Sequence, residues 1–395
     1  MVLEQHMLHA NTTKIRQIIA FSLLILINFL FAFKYLARST DHFFILSTCY
    51  ISILIILFIL SKRIDLKLFR SNIFFYSIVF LYALIHIFLF HFIKVETLNV
   101  DRWSVISSFW EQAFNGQYPY NAQSHMGNYP APLPFYFVMA LPFNLIGEIG
   151  YLSMAGILIL AIFIRKNLSP QNSMGALVIL FLSVSVFWEI STRSTILINS
   201  ILFFAYLFWL AKVNFENTKQ YWLSAIIGGL LLSTRTIFAL ALVIYVVYLF
   251  KSKEVRFKKL IIWSLIIVSV LLLTFVPLLV FYTPEFLIRN PFNVQTDHLF
   301  PFNISLIFIA LSMIAGFICS QKRKLLYYIG SMLVLVIGSY FWLCIQKYGF
   351  SDAYFKSGID LSYMLFVFPF LLYFSFSSNN RLTYGDTGQS IKHKK

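Results

Sequence analysis

Charge is scarce in this chain: only 12% of its 395 residues are Asp, Glu, Lys or Arg, where a soluble domain carries about 25%. A water-soluble fold so poor in charge would leave a large apolar surface facing water, and that class is excluded. Cysteine is almost missing. Cys49, Cys319 and Cys344 all lie in apolar runs, without metal-ligand spacing and without the dense pattern of a disulfide framework. The alternating ten-residue strands of a membrane barrel are absent. So are the strands and Gly-rich turns that a nucleotide-sugar site on a Rossmann-like domain would need. No small-residue cleavage site follows the first apolar run, which Lys14 and Arg16 precede, so that run reads as an uncleaved anchor.

What is present is long apolar sequence. Hydrophobic residues make up 59% of the chain and mean hydropathy is +0.79. Runs near the roughly 20 residues that cross a 30 Å hydrocarbon core recur from Ile18 almost to the last residues. They fall at 18–36, 43–60, 72–93, 148–164, 174–190, 194–211, 221–234, 236–250, 260–282, 302–320, 325–344 and 360–377. The fold class is therefore all-α, a polytopic transmembrane bundle of about 12 spans forming one membrane domain over 1–395. Two N-terminal spans, 18–60, precede a core at 71–380.

The net charge of +16 does not point to nucleic acid, because the basic residues sit between apolar runs, where cytoplasmic loops concentrate them. Clusters at 14–16, 62–70, 165–166, 212–219, 251–259, 322–324 and the tail from Arg381 hold 22 of the 31 basic residues. Placing them on one side puts both termini in the cytoplasm. It puts 94–130, 283–301 and 345–358 together on the other side. Two stretches need special reading. The apolar run 221–250 must be two short spans hinged near Ser233–Arg235, or the basic cluster after it would face outward. The stretch 131–146 begins among prolines, is short, and reads as a re-entrant or interfacial helix.

The first outer loop, 94–130, is the longest polar segment. Trp103, Ile106, Trp110 and Phe114 recur there at helical spacing, which predicts an amphipathic interfacial helix. Asp101 precedes it, Gly116 breaks it, and prolines stiffen the return to the membrane. The bland reading of Asp101 is a helix N-cap. That of Glu111 is a solvated face. That of Tyr118, Tyr120 and Tyr129 is an interfacial turn.

These elements together form a pattern. Asp101, then Gly116–Gln117–Tyr118–Pro119–Tyr120, then Tyr129–Pro130–Ala131–Pro132–Leu133 resemble the first outer loop of type C glycosyltransferases. The nearest match is the mannosyltransferase branch, glycosyltransferase family 87. Gly228–Gly229 followed by Thr234–Arg235 resembles the superfamily's small-residue helix ending in a basic residue, where Lys is more usual. One Asp stands here where many relatives carry an acidic pair, and the spans at 18–60 precede what resembles the family's first helix.

The resemblance implies an inverting transfer of a sugar, mannose by this branch, from a polyprenyl-phosphate donor to a lipid or glycan acceptor outside the cytoplasm. No cofactor is implied, and a metal requirement is left open. The bacterial inner membrane is the expected location and membrane lipids the expected surroundings. A carboxylate is needed as general base, with Asp101 the first candidate and Glu111 the second. Cations must hold the leaving phosphate. Arg102, Arg193, Arg235, Arg289, His298, Lys347 and Lys356 fall on that side. The substrate-binding candidates are Arg102, Tyr118, Tyr120, Tyr129, Arg193, Arg235 and His298. Arg193 has a bland alternative, an ion pair with Glu189 one turn away. For Arg235 that alternative is a partner distant in sequence, such as Asp297 or Asp360. A flippase or other transporter of lipid-linked sugar, a surface-polysaccharide polymerase or ligase, and a non-catalytic subunit are the competing readings.

Overall fold

In a computed structural model, residues 2–292, 300–356 and 358–377 are described. His298, Asp297 and the tail from Arg381 lie outside them. The described chain is helical and contains no strand. Its helices are α1 (Val2–Leu36), α2 (Phe43–Arg63), α3 (Asn72–Phe92), α4 (Arg102–Phe114), α5 (Pro134–Ile146), α6 (Gly150–Asn167), α7 (Pro170–Leu182) and α8 (Val184–Ser191). There follow α9 (Ile196–Leu210), α10 (Thr218–Leu232), α11 (Phe238–Ser252), α12 (Phe257–Leu273), α13 (Val276–Phe281) and α14 (Thr283–Ile288). The last are α15 (Phe302–Ile318), α16 (Leu325–Tyr348), α17 (Phe350–Tyr354) and α18 (Phe368–Phe376).

Five stretches are long and apolar enough to cross a membrane: Lys14–Leu36, Phe43–Arg63, Asn72–Phe92, Gly150–Asn167 and Leu325–Tyr348. A sixth results if α7 and α8, bent by 57°, count as one span. Their outer faces carry large bare hydrophobic side chains, among them Ile73 at 82% and Phe80 at 65% exposure. Such faces suit lipid and not water, and the protein has the character of a helical membrane protein.

The bend between α7 and α8 frees backbone groups that need partners where water is absent. The Tyr50 hydroxyl donates to the Leu182 carbonyl at 2.9 Å and accepts from Val184 N–H at 2.9 Å. The Asn28 side-chain oxygen accepts from the Ser185 N–H at 3.3 Å and its hydroxyl at 3.1 Å. The break is thereby sealed by α1 and α2.

The 221–250 run breaks where its length predicts: α10 ends at Leu232 and α11 starts at Phe238. The glycine pair has a steric role in α10. A Cβ on Gly229 would stand 2.6 Å from the Ile267 carbonyl of α12, and one on Gly228 2.5 Å from the Tyr206 hydroxyl of α9. Only glycine lets three helices approach so closely. The 360–377 run departs from the expected single helix. It is a 3-10 turn, Leu361–Phe366, followed by the short α18.

Interloop contacts sort the ends of the bundle into two poles. At one, Arg165 bonds the Phe69 and Arg70 carbonyls, Lys62 the Ser375 carbonyl, Lys259 Glu216, and Lys322 Glu254. Arg16 lies over the Tyr327 ring. The basic clusters among the described residues thus meet one another. The other pole gathers 94–136, 283–292 and 355–360. There Tyr118 donates to the Arg289 carbonyl at 2.7 Å, and Lys34 donates to the Ile359 carbonyl at 3.0 Å.

Helix α5 begins and ends at this second pole. The Leu133 N–H bonds the Thr234 carbonyl at 3.3 Å before it, and Glu148 pairs with Arg193 just after it. It is one continuous helix of 13 residues, about 20 Å at 1.5 Å per residue and short of the roughly 30 Å of a hydrocarbon core. The second pole has a core of its own. Ile106, Phe109, Tyr118, Tyr120, Leu133, Tyr136 and Phe137 pack there with Phe275 and Leu278.

Candidate functional site

Helix α4 starts at Arg102, directly after Asp101. Its buried face is Ser104, Val105, Ile106 and Phe109, while Phe114, expected on the apolar stripe, is exposed. The Trp110 indole N–H bonds the Phe137 carbonyl at 3.0 Å and staples α4 to α5. Gly116 takes φ +69° beyond the helix end, a conformation open to glycine at little cost.

Asp101 occupies the N-cap position, but its side chain makes no capping bond. Its Oδ2 accepts from the Ser124 hydroxyl and from the Asn128 side-chain amide, each at 2.7 Å. Ser124 in turn accepts the Met126 and Asn128 N–H groups. The N-cap reading is corrected: Asp101 is tied across to the returning loop. Both bonds go to Oδ2, and Oδ1 accepts from no described residue. Glu111 lies ten residues further along α4, about 15 Å away at 1.5 Å per residue. It is exposed and forms no ion pair with a described residue. The two candidate carboxylates are not brought together.

Arg102 is not bonded to Asp101. It bonds the Ser194 hydroxyl and pairs with Asp360, and Glu189 lies 3.8 Å from its guanidinium. Glu189 is fully buried. Its Oε1 accepts the Ile196 and Leu197 N–H groups at 2.7 and 3.1 Å, capping α9.

The expected Arg193–Glu189 pair is therefore not formed. Arg193 turns through φ +54°, which throws its side chain toward α3 and α6. There Nε and Nη2 fork onto Glu148 at 3.3 and 3.2 Å. The remaining donors reach the Ser191 and Phe90 carbonyls, and the guanidinium lies over the Phe90 ring. This arginine is 1% exposed and each of its three nitrogens is hydrogen-bonded within the protein, so a phosphate role for it is corrected to a structural one.

Arg235 differs. Its Nε is buried and lacks a partner, and no carboxylate of a described residue pairs with it. The guanidinium stands 5.7 Å from the Tyr136 ring centre. It lies within electrostatic reach of Arg102, Asp360, Tyr136 and Tyr363. The Tyr136 hydroxyl bonds Thr195, which ties the start of α5 to the turn before α9. The hinge packs on that same entry, because Phe135 N–H bonds the Ser233 carbonyl at 3.1 Å.

Two tyrosines have structural bonds. Tyr118 donates to the Arg289 carbonyl, and buried Tyr120 donates to the Pro132 carbonyl at 2.9 Å. Tyr129 accepts from Gln123 at 2.8 Å, and Arg289 stacks on its ring at 3.7 Å. Arg289 also bonds the Asn121 side chain. Lys356 pairs with Asp352 at 2.9 Å, and Lys347 is exposed on the last turn of α16. Among the described residues no three His, Cys, Asp or Glu side chains group as a metal site.

Asp101, Arg102 and Arg235 therefore lie about one region, joined by Glu189 and Asp360, which sequence reading had offered to Arg193 and Arg235 and which face Arg102 instead, and by Tyr136 and Tyr363, which it did not single out. Among the charged groups acting on the Tyr363 hydroxyl, Asp360 is the strongest, followed by Arg235, Arg102 and, last, Asp101. One signal was available: the run Ser191–Thr195 is wholly polar between two apolar helices, and all five residues are buried. Comparison with known family models, curated proteins and solved structures finds no match.

Proposed function

We propose that this protein is a membrane glycosyltransferase that moves a sugar, mannose by its resemblance, from a polyprenyl phosphate to a lipid or glycan hydroxyl. The observation that carries this reading is Arg235, a half-buried arginine whose Nε is buried without a partner, near a tyrosine hydroxyl, that of Tyr363, on which the Asp101 carboxylate also acts. A cation with a buried donor left unpaired invites an anion, and a carboxylate with a free oxygen accepts a proton.

The step balances as follows. The acceptor oxygen attacks the sugar's anomeric carbon and its proton passes to Asp101 Oδ1. The bond from that carbon to the phosphate oxygen breaks, and the electron pair stays on the phosphate. Arg235 stabilises the charge that develops there. Attack opposite the leaving group inverts the centre. The lipid tail lies between helices. On this reading the chain crosses the plasma membrane of a bacterium about a dozen times, with α10, α11 and other short helices as spans. The basic pole then faces the cytoplasm and Asp101 the outside.

A transfer assay with a panel of polyprenyl-phosphate sugars tests it. Asp101→Asn is expected to lower the rate by about 10²–10⁴-fold, with the fold intact because no cap is lost. Near wild-type turnover overturns the assignment. A second reading, transport of a lipid-linked sugar, is favoured by the 57° break between α7 and α8, since broken helices line transporter sites. Movement of labelled lipid-linked sugar across proteoliposomes, without any transfer product, would select it.

A further inference from the structure

The segment after α17 lies across the site as a strap. Lys34 holds the Ile359 carbonyl at 3.0 Å, and Ser200 holds the Phe366 carbonyl at 2.5 Å. Between these anchors Asp360 clasps Arg102. The strap is a 3-10 turn, Leu361–Phe366, opened by Asp360, whose Oδ1 accepts the Ser362 N–H at 3.0 Å. In a 3-10 turn, side chains three residues apart eclipse. The stacking of Tyr363 on Phe366, ring planes 10° apart, follows that rule. One turn after Asp360, Tyr363 therefore returns to the side that faces Arg102. Its ring is also set edge-on to Tyr340 at 5.6 Å. The phenol is thus fixed by packing, and its hydroxyl bonds no described residue. Phe366, on which the ring stacks, is set edge-on to Phe238, three residues after Arg235, and the hydroxyl is coupled electrostatically to Arg235 and Asp101.

We infer that Tyr363 is a further substrate-contacting residue, whose hydroxyl donates a hydrogen bond to the lipid-linked phosphate held by Arg235. A phenol suits this place. It adds a donor without adding a charge, in a cluster where Arg102 is already neutralised by Asp360 and Glu189. It transfers no proton, so the phosphate keeps its charge for Arg235. The inference rests on the donor-phosphate reading of Arg235, and the experiment separates the two.

Purified full-length protein in detergent is titrated with farnesyl phosphate, and with farnesol as the uncharged control. Wild type is expected to bind the phosphate, and Arg235→Ala to lose most of that affinity. Tyr363→Phe keeps the ring and its packing. It is expected to weaken farnesyl phosphate binding about 10- to 100-fold, the worth of a hydrogen bond to a charged group, and to leave farnesol binding and thermal unfolding unchanged. Equal loss for phosphate and alcohol would mark Tyr363 as packing alone and overturn the inference. So would wild-type phosphate affinity in Tyr363→Phe while Arg235→Ala fails to bind. Equal binding by wild type and Arg235→Ala would overturn the donor reading itself, and this inference with it.

Discussion

The tripeptide Ser-Thr-Arg occurs twice where one helix ends and another begins, at Ser191–Arg193 and at Ser233–Arg235. In both, the Ser and Thr are buried. In both, the arginine is placed where water is scarce. The two guanidinium groups nonetheless end in opposite states. Arg193 meets a forked carboxylate, two carbonyls and an aromatic face. Arg235 meets aromatic rings and keeps a buried Nε without a partner. The same tripeptide at a helix junction is thus no guide to its arginine's role: Arg193 is fully buried and Arg235 half-buried. What separates a brace from a binding group is whether the protein has already supplied the counter-charge.

The largest effect should come from breaking the brace. Arg193→Ala leaves Glu148 without its cation beside α3. It is expected to cost about 3–5 kcal/mol of stability, the range for a broken buried pair, read as thermal unfolding in detergent. Arg193→Ala combined with Glu148→Ala should cost less than the two losses added, because the second removes a charge already stranded. Arg235→Ala should show no such loss, since no ion pair is broken. If it unfolds the protein as readily as Arg193→Ala, the contrast between the two turns disappears.

Next in size is the effect of Arg235 on chemistry. Removing a charge-stabilising donor costs about 10²–10³-fold in rate, and Arg235→Ala is expected in that range with a polyprenyl-phosphate sugar. Arg235→Lys should recover part of it, because the charge is kept and the forked geometry is not. Arg193→Lys, in the same assay on protein that remains folded, should leave the rate per folded molecule unchanged.

The contrast explains which parts of the molecule were legible in sequence. Length and parity located the hinge near Ser233–Arg235, within the break observed between Leu232 and Phe238, and composition located the apolar helices. Helix α4 was legible from its period and its Gly116 stop. That 134–146 is a short helix was legible from its prolines and length. The pairing of charges was not. Glu189 is the nearest acid to Arg193 in sequence, but the positive φ at Arg193 sends the side chain to Glu148, 45 residues away. Glu189 is left for Arg102, and Asp360 joins it across 258 residues. Such partners are chosen by tertiary packing, on which local spacing is silent. The strap at 360–366 was missed for a different reason. Its apolar composition matches a membrane helix, and only its backbone, a 3-10 turn opened by Asp360, turns Tyr363 toward the arginines.

A smaller effect concerns the loop tyrosines, expected at first as substrate contacts. Tyr120 donates to a loop carbonyl and is fully buried in the second core. Tyr120→Phe and Tyr118→Phe should each lower stability by about 1 kcal/mol, the net worth of one hydrogen bond. Neither should change farnesyl phosphate affinity. A selective loss of phosphate binding in either variant would return that tyrosine to the site and extend the binding region toward Arg289.

The smallest effect is expected at Glu111, and its smallness is informative. Asp101 and Glu111 are carboxylates at opposite ends of one helix, and sequence alone offered both as the base. Asp101 is held by two donors from the returning loop, with one oxygen left free, and its charge reaches Tyr363 within the arginine cluster. Glu111 stands on the exposed side about three turns away. A general base must lie within hydrogen-bond reach of the proton it takes. One substrate hydroxyl cannot meet both residues across that distance. Glu111→Gln should therefore change stability by no more than about 0.5 kcal/mol, as surface substitutions do, and leave the transfer rate at the wild-type value. Thermal unfolding and a single-turnover assay on the same preparation check both. A rate loss comparable to that of Asp101→Asn would move the chemistry to the far end of α4 and break the link between Asp101 and the Arg235 hinge.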